Sequence, residues 1–349
     1  MNRPRVRLLD VAMRAGVSPA AASMALNGRS AGNLAPTTRD RILAAAAELD
    51  YTPDSVAQSL RRRKTNVLGL VTDAIASSPF AGRLLAGAME SARSRSYVLV
   101  IVDANREPDN EVIAIRELTR RRVDGLVYAT MGLQHLPVAP HTSLPLVLAN
   151  CWSDQPVPAV IPDDDRAGDT AAAYLTGLGH QRVAMITGLV GSAGQRRTRA
   201  FTERSRDAGV DPLVHVIDAD WSVTAGYHAA WTLLTDDTGA PRPAAQRPTA
   251  VWGVNDRVAT GVVLAALRLG LEIPRDLSVL GMDDQEELAD CLVPALTTLA
   301  LPHRELGEAA VSRLLDLLDN SGLPVPADPQ RLECPLVERA STAPPPSAG

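Results

Sequence analysis

"DVAMRAGVSPAAASMALNG", residues 10–28, places alanines and small apolar residues at helical spacing and then interrupts them with Gly16, Val17, Ser18 and Pro19. A glycine after the last helical residue ends a helix by taking the left-handed conformation, so Leu8 to Ala15 reads as a first helix with Leu9, Ala12 and Met13 along one side. Ser18 can cap the next helix. Pro19 suits its first position, where no N–H is needed, and Asn27-Gly28 ends it. Two short helices around so tight a break form a helix-turn-helix, whose second helix is the candidate reader of a major groove. A third helix, "TRDRILAAAAELDY", follows a cap at Thr37 or Thr38, with Ile42, Leu43, Ala46 and Leu49 on one face.

Beyond Tyr51-Thr52-Pro53, "DSVAQSLRRRK" reads as a short helix with Val56, Ala57 and Leu60 on one side, running into three arginines and Lys64. From Asn66 the texture changes. "VLGLVTD", "YVLVIVD", "VDGLVYA", "PLVLAN" and "AVIPDD" are strand-like runs separated by amphipathic helices such as 80–95 and 111–121. The alternation resumes with "RVAMITG", "HVIDAD", "TAVWGVND" and "LSVLGMDD", so two parallel sheets with helices on both faces are expected. Ligands bind at the carboxyl ends of such strands, where Asp73, Asn150, Asn255, Asp256, Asp283 and Asp284 stand. Each of these is equally suited to capping a helix or shaping a turn.

The totals agree with a small basic unit joined to a larger acidic one. Residues 1–66 hold ten arginines and Lys64 against five acids, a net +6, while the whole chain carries −5. The first unit alone is suited to a polyanion. At 349 residues the chain is too long for one ordinary core. Cys151, Cys291 and Cys334 lie far apart without ligand spacing and read as small buried hydrophobes. No apolar run is long enough to span a membrane, and Asp10 and Arg14 break what a signal peptide would need, so a cytoplasmic protein is expected. The tail "APPPSAG" reads as disordered.

Enzymatic readings find little support. "GLVGSAG", 188–194, lacks the dinucleotide-binding spacing and the lysine of a phosphate loop. Asp163, Asp164 and Asp165 are adjacent, so they point apart and suit a helix cap better than a metal site. His180 reads as structural. No catalysis, metal or cofactor is expected.

These stretches together resemble the LacI/GalR family of bacterial transcription regulators, over residues 6 to about 340. The match is carried by "DVAMRAGVSPAAASMALNG" followed by "TRDRILAAAAELDYTPDSVAQSL", and in the body by "LGHQRVAMITG", "RTRAF", "DWSVTAGY", "VNDRVATG", "IPRDLSVLGMDD" and "PALTTLALPHRELGEAAVSRLL". The resemblance implies an N-terminal all-α helix-turn-helix domain (1–53), a hinge helix and linker (54–65), and a bilobed α/β periplasmic-binding-protein-like core of two parallel doubly wound sheets (66–340). Lobe 1 is expected at about 66–162 plus 295–322, lobe 2 at about 163–294 plus 323–340, and a disordered tail at 341–349.

For DNA, the resemblance sets Pro19, Ala20 and Met24 at base-contacting positions. They are apolar where many relatives carry Tyr, Gln or Arg, so thymine methyls and DNA shape are expected to replace guanine contacts. Ser18, Ser23 and Asn27 would supply hydrogen bonds. Leu60 matches the hinge leucine that wedges a minor-groove step, and Arg7, Arg29, Val56, Ala57 and Arg61 complete the expected contacts with a pseudo-palindromic operator. For a small-molecule effector the resemblance implies Asp73, Phe80, Asn150, Arg197, Trp221, Asn255 and Asp283. Carboxylates, amides, one arginine and one tryptophan suit a sugar or polyol. A purine- or nucleoside-responsive regulator is the alternative, and a sugar-binding protein without DNA function is a more distant one. A homodimeric repressor without cofactor is expected.

Overall fold

Gly16 takes φ 63° and ψ 44°, the left-handed conformation, and the chain turns there. The N–H of Val17 reaches back to the Ala12 carbonyl at 3.0 Å, closing helix α1 (Leu8–Ala15). Ser18 Oγ accepts the N–H of Ala21 at 3.2 Å and opens α2 (Pro19–Leu26). The computed structural model of the chain describes residues 6–26, 34–51, 64–74, 81–188, 191–218, 221–320 and 328–346, and divides it into two units, Met1–Asn66 and Val67–Gly349.

In the first unit α3 (Pro36–Glu48) joins α1 and α2 around Val11, Ala15, Ala22, Ala25, Ile42 and Ala46. Three expectations fail in detail. Leu9 and Met13 are exposed, Met13 by 65%, because α1 buries Val11 and Ala15 beside the expected Ala12, and Leu43 is exposed because α3 buries Ile42, Ala45 and Ala46. α3 starts two residues earlier than even a cap at Thr37 would allow. Pro36 with its fixed φ takes the first position behind Ala35, and Thr37 and Thr38 fall inside the first turn.

The second unit contains two six-stranded sheets of matching design. The first has the order β11-β5-β4-β3-β1-β2, from β1 (Val67–Thr72), β2 (Val98–Asp103), β3 (Gly125–Leu136), β4 (Leu146–Ser153), β5 (Ala159–Pro162) and β11 (Gln330–Leu332). The second has the order β12-β10-β9-β8-β6-β7, from β6 (Val183–Thr187), β7 (Leu213–Val216), β8 (Ala250–Gly253), β9 (Ser278–Asp283), β10 (Thr297–Ala300) and β12 (Leu336–Val337). All pairings are parallel except β12 against β10. Helices cover both faces, which is why inner strands such as β1, β6, β8 and β9 are buried almost along their whole length.

In lobe 1, α4 (Ala81–Ser94) and α10 (His303–Asp319) cover one face and α5 (Pro108–Arg120) the other. In lobe 2, α8 (Val223–Leu234) pairs with α9 (Asp256–Arg268), and α6 (Asp164–Gly177) with α7 (Ser192–Asp207). All three of these pairs meet backbone to backbone. A Cβ on Gly307 would overlap the carbonyl of Leu84, one on Gly168 the carbonyl of Arg197, and one on Gly261 the carbonyl of Val223.

The chain passes between lobes after β5, after β10 and after β11. Residues 297–300, expected in lobe 1, pair with β9 and belong to lobe 2, and residues 330–332, expected in lobe 2, pair with β5 in lobe 1. The tail expectation also fails for 341–346. Ser341 is fully buried, its hydroxyl donating to the Val279 carbonyl, and the Ala343 carbonyl accepts from His180 Nε2 and Ser278 Oγ. Hydroxyl and backbone bonds fix what composition left open. Cys151 and Cys334 are buried, their thiols pushed up to about 12 by burial, whereas Cys291 is exposed.

Candidate functional site

The first unit presents α2 with Ser18, Pro19 and Ala20 exposed and Ala21, Ser23 and Met24 half-buried. The same unit also exposes arginines. Arg7 leaves three quarters of its side chain in solvent, Arg39 about half, and Arg41 is also exposed. Such guanidiniums supply charge at positions where phosphates can approach. Asn27, Arg29, Val56, Ala57, Leu60 and Arg61 lie outside the described residues.

In the second unit the carboxyl ends of both sheets wall a cavity of about 630 Å³. Lobe 1 contributes Asp73 after β1, Arg106 and Glu107 after β2, Glu111 on α5, and Tyr128 and Gln134 on β3; lobe 2 contributes Ala193, Trp221 and Arg257. Asn105 and Arg106 are both left-handed, at φ 52° and 58°, and the Arg106 N–H is tied to the Asp73 carbonyl. Burial raises the Asp73 carboxyl, while the Met131 N–H, donating at 2.8 Å, and the Arg106 charge pull it down. Tyr128 donates to Glu111 Oε2 at 2.7 Å, and burial together with that carboxylate raises the phenol far above its ordinary range. It stays a donor. Trp221 packs with Leu133, Ile161 and Ala193 in an apolar cluster joining the lobes, close enough to Gly188 that a Cβ there would overlap Nε1.

Of the residues expected at the effector site, the structure brings Asp73 and Trp221 to the cavity wall. Phe80 lies outside the described residues. The other four are buried, and the side chains of Arg197, Asn255 and Asn150 are hydrogen-bonded within the protein. Arg197, 2% exposed, donates Nε to Asp164 Oδ1 at 2.6 Å and Nη1 to the Val254 carbonyl at 2.8 Å. Burial lowers its pKa, but Asp164 and Asp283 overcome this and hold it above its usual value. Asn255 caps α9 through the N–H of Val258 and donates Nδ2 to the Trp221 carbonyl at 3.3 Å, so it positions the loop that carries the tryptophan, while Arg197 holds the neighbouring Val254. Asn150 donates to the Thr130 carbonyl at 2.9 Å. Asp283 is raised well above the carboxylate range by burial and by Asp256, against the pull of Arg197. Asp256 itself, accepting from Thr298 Oγ1 and the Gln285 N–H, is pushed up to about 6 by burial.

The sequence reading missed Arg106, Glu107, Glu111, Tyr128, Gln134 and Arg257. The signal was present for the first three, since "NREPDNE" follows the carboxyl end of the "YVLVIVD" strand. Asp163 caps α6 as expected, while Asp164 holds Arg197 and Asp165 binds Arg196, Arg199 and Arg331, its carboxyl lowered because these bonds outweigh burial. His180 is structural, bonded to Thr249 and Ala343. The cavity offers hydrogen-bonding groups and one indole, an arrangement for binding.

Residues 7–54 match the family described as bacterial regulatory proteins, lacI family, and residues 172–342 match the periplasmic binding protein-like domain. The chain belongs to the lacI family. Among relatives, the ribose operon repressor of Haemophilus influenzae is 31% identical over 319 residues, covering 89% of this chain and 91% of that one. The PurR repressor of Klebsiella pneumoniae is 31% identical over 346 residues, 96% of each. A lac repressor dimer solved with operator and the anti-inducer ONPF superposes with a TM-score of 0.78 at 27% identity, over 97% of this chain and all of that one. This lacI-family chain is a DNA-binding transcriptional regulator with an effector-binding core. The relatives are regulators and not enzymes. Among the described residues no helix is long and apolar enough to cross a membrane.

Proposed function

We propose that this regulator is a homodimeric repressor of the cytoplasm whose hold on a pseudo-palindromic operator is set by a sugar or polyol bound between the lobes. The observation that carries the effector class is the cavity wall. Asp73, Arg106, Glu107, Glu111, Gln134 and Arg257 supply donors and acceptors in quantity, while the indole of Trp221 offers an apolar surface for a ring. A planar base would leave many of these groups unpaired. Of the buried groups, Asn255 holds Trp221 of this wall through its carbonyl. Dimerisation is supported by apolar residues exposed on the edge strands, Val98 and Val100 on β2 and Leu213 and Val216 on β7, with Leu264 and Leu267 on α9.

Ligand bound to both walls would favour one lobe arrangement over another and so change operator affinity by a coupling of about 1–3 kcal/mol. The test is a thermal-shift screen of the full chain against sugars, polyols, nucleosides and purines, followed by operator binding with each hit, since a ligand selective for the folded state raises the melting temperature. A sugar or polyol that stabilises the protein and changes operator affinity is expected. Glu111→Gln should weaken that ligand about tenfold while operator binding without ligand is kept. A purine or nucleoside acting alone would overturn the effector class.

A further inference from the structure

From Pro19 to Leu26 the second helix of the helix-turn-helix carries no charge, no amide and no guanidinium. Ala22 and Ala25 are spent on the small core. What faces solvent is Pro19 and Ala20 in the first turn, with Ala21, Ser23 and Met24 half-covered. The Ser18 oxygen is engaged by the Ala21 N–H that starts the helix.

In helix-turn-helix proteins the N-terminal residues of this helix meet the base edges. Guanine is read by a bidentate arginine or lysine and adenine by asparagine or glutamine, whereas thymine presents a methyl group to apolar side chains. Only the last contact lies within the chemistry of Pro19, Ala20 and Met24. The exposed arginines of this unit, Arg7, Arg39 and Arg41, lie outside α2 in the chain and suit phosphates, which attract without reading sequence.

We infer that this regulator discriminates its operator by seating the Pro19–Ala20 edge of α2 against thymine methyls in the major groove, with Ala20 as the specificity-determining residue and without guanine readout from this helix. The inference rests on the operator-binding reading above and specifies how that operator is read. Affinity then comes mainly from charge and is strongly salt-dependent. Discrimination comes from a few buried methyls. One methyl contributes about 0.8 kcal/mol, a change of about fourfold in Kd.

The test begins by selecting binding sites for the full chain from random duplex DNA at fixed salt. Each thymine of the selected half-site is then replaced by deoxyuridine, which removes only the methyl, and each guanine by 7-deazaguanine, which removes the N7 acceptor. The expected result is a loss of about fourfold at one or two thymines per half-site, with no response to 7-deazaguanine at neighbouring positions. Ala20→Arg, at an exposed position that leaves the core untouched, should shift the selected base toward guanine and create sensitivity to 7-deazaguanine. A flat deoxyuridine scan together with a tenfold loss on 7-deazaguanine would overturn apolar readout and leave the regulator intact. A selection that enriches no sequence would remove operator binding itself, and this inference with it.

Discussion

The two lobes share a strand order and a helix pair packed through glycine, yet they differ on the opposite face of the sheet. In lobe 2 the passage from β8 to β9 is made by α9, and α6 and α7 cover the far side. In lobe 1 the passage from β3 to β4 is the helix-free stretch 137–145, so α5 has no partner helix there, and a groove of about 460 Å³ runs along this stretch beside Val138, Leu144 and Val157 and reaches Leu317 of α10. The consequence is a difference in burial. Nine residues of α9 are buried, and lobe 2 has one continuous core, whereas the lobe 1 sheet separates two smaller ones. A parallel sheet tolerates the loss of a crossover helix on one face as long as a backbone-close pair covers the other.

The comparison breaks first at the glycines. Gly261→Val and Gly307→Val would each drive a side chain into a backbone carbonyl, and each should cost about 4 kcal/mol or more, read as a lowered denaturation midpoint. A tolerated substitution in either lobe would show that its helix pair can separate.

The next effect lies where the lobes cross. Asp256, raised to about 6 by burial, favours its protonated form when folded, so its contribution is full below the ordinary carboxylate value and is lost as pH rises through 6. His303, lowered to about 4 by burial and by nearby Arg83 and Arg197, is stabilising as the neutral ring, and that contribution is lost as pH falls from 6.5 toward 4. Each is worth up to about 3 kcal/mol, and over pH 4–6 they oppose each other. Asp256→Asn should therefore leave a stability that falls on acidification, and His303→Asn one that rises. Parallel pH curves for the two variants would contradict the assignment.

Leu133→Ala, in the cluster that joins the lobes, should cost about 2–3 kcal/mol and weaken effector binding, measured by calorimetry and denaturation. The smallest effect belongs to the connector. Val138→Ser, at a side chain 69% exposed, should change stability by less than about 0.5 kcal/mol, whereas the same change at fully buried Val258 should cost several times more.

Much of this was legible beforehand. Gly16, Ser18 and Pro19 specify the tight turn by local chemistry, and the strand runs announce two parallel sheets because burial on both faces demands continuous apolar residues. Other features depend on pairing, which local pattern does not encode. Residues 297–300 and 330–332 would suit either sheet, and only hydrogen-bond partners far along the chain assign them. An eight-residue helix can offer two apolar stripes, and in α1 they share Ala12, so the pattern alone does not show that Val11 and Ala15 are buried in place of Leu9 and Met13. The resemblance places Arg197 at the effector site, and local pattern cannot show its ion pair because the partner, Asp164, lies 33 residues away.

The late crossings between lobes also bear on how the protein is made. Lobe 1 needs α10 and β11, and lobe 2 needs β10, β12 and the segment at Ser341, so neither can close until nearly the whole chain has been translated. The first unit is complete by residue 66. At about 5–20 residues per second, roughly 15–60 seconds separate the two events. For that interval each nascent chain has a helical head and no finished sensor, so a period without effector control is built into its synthesis.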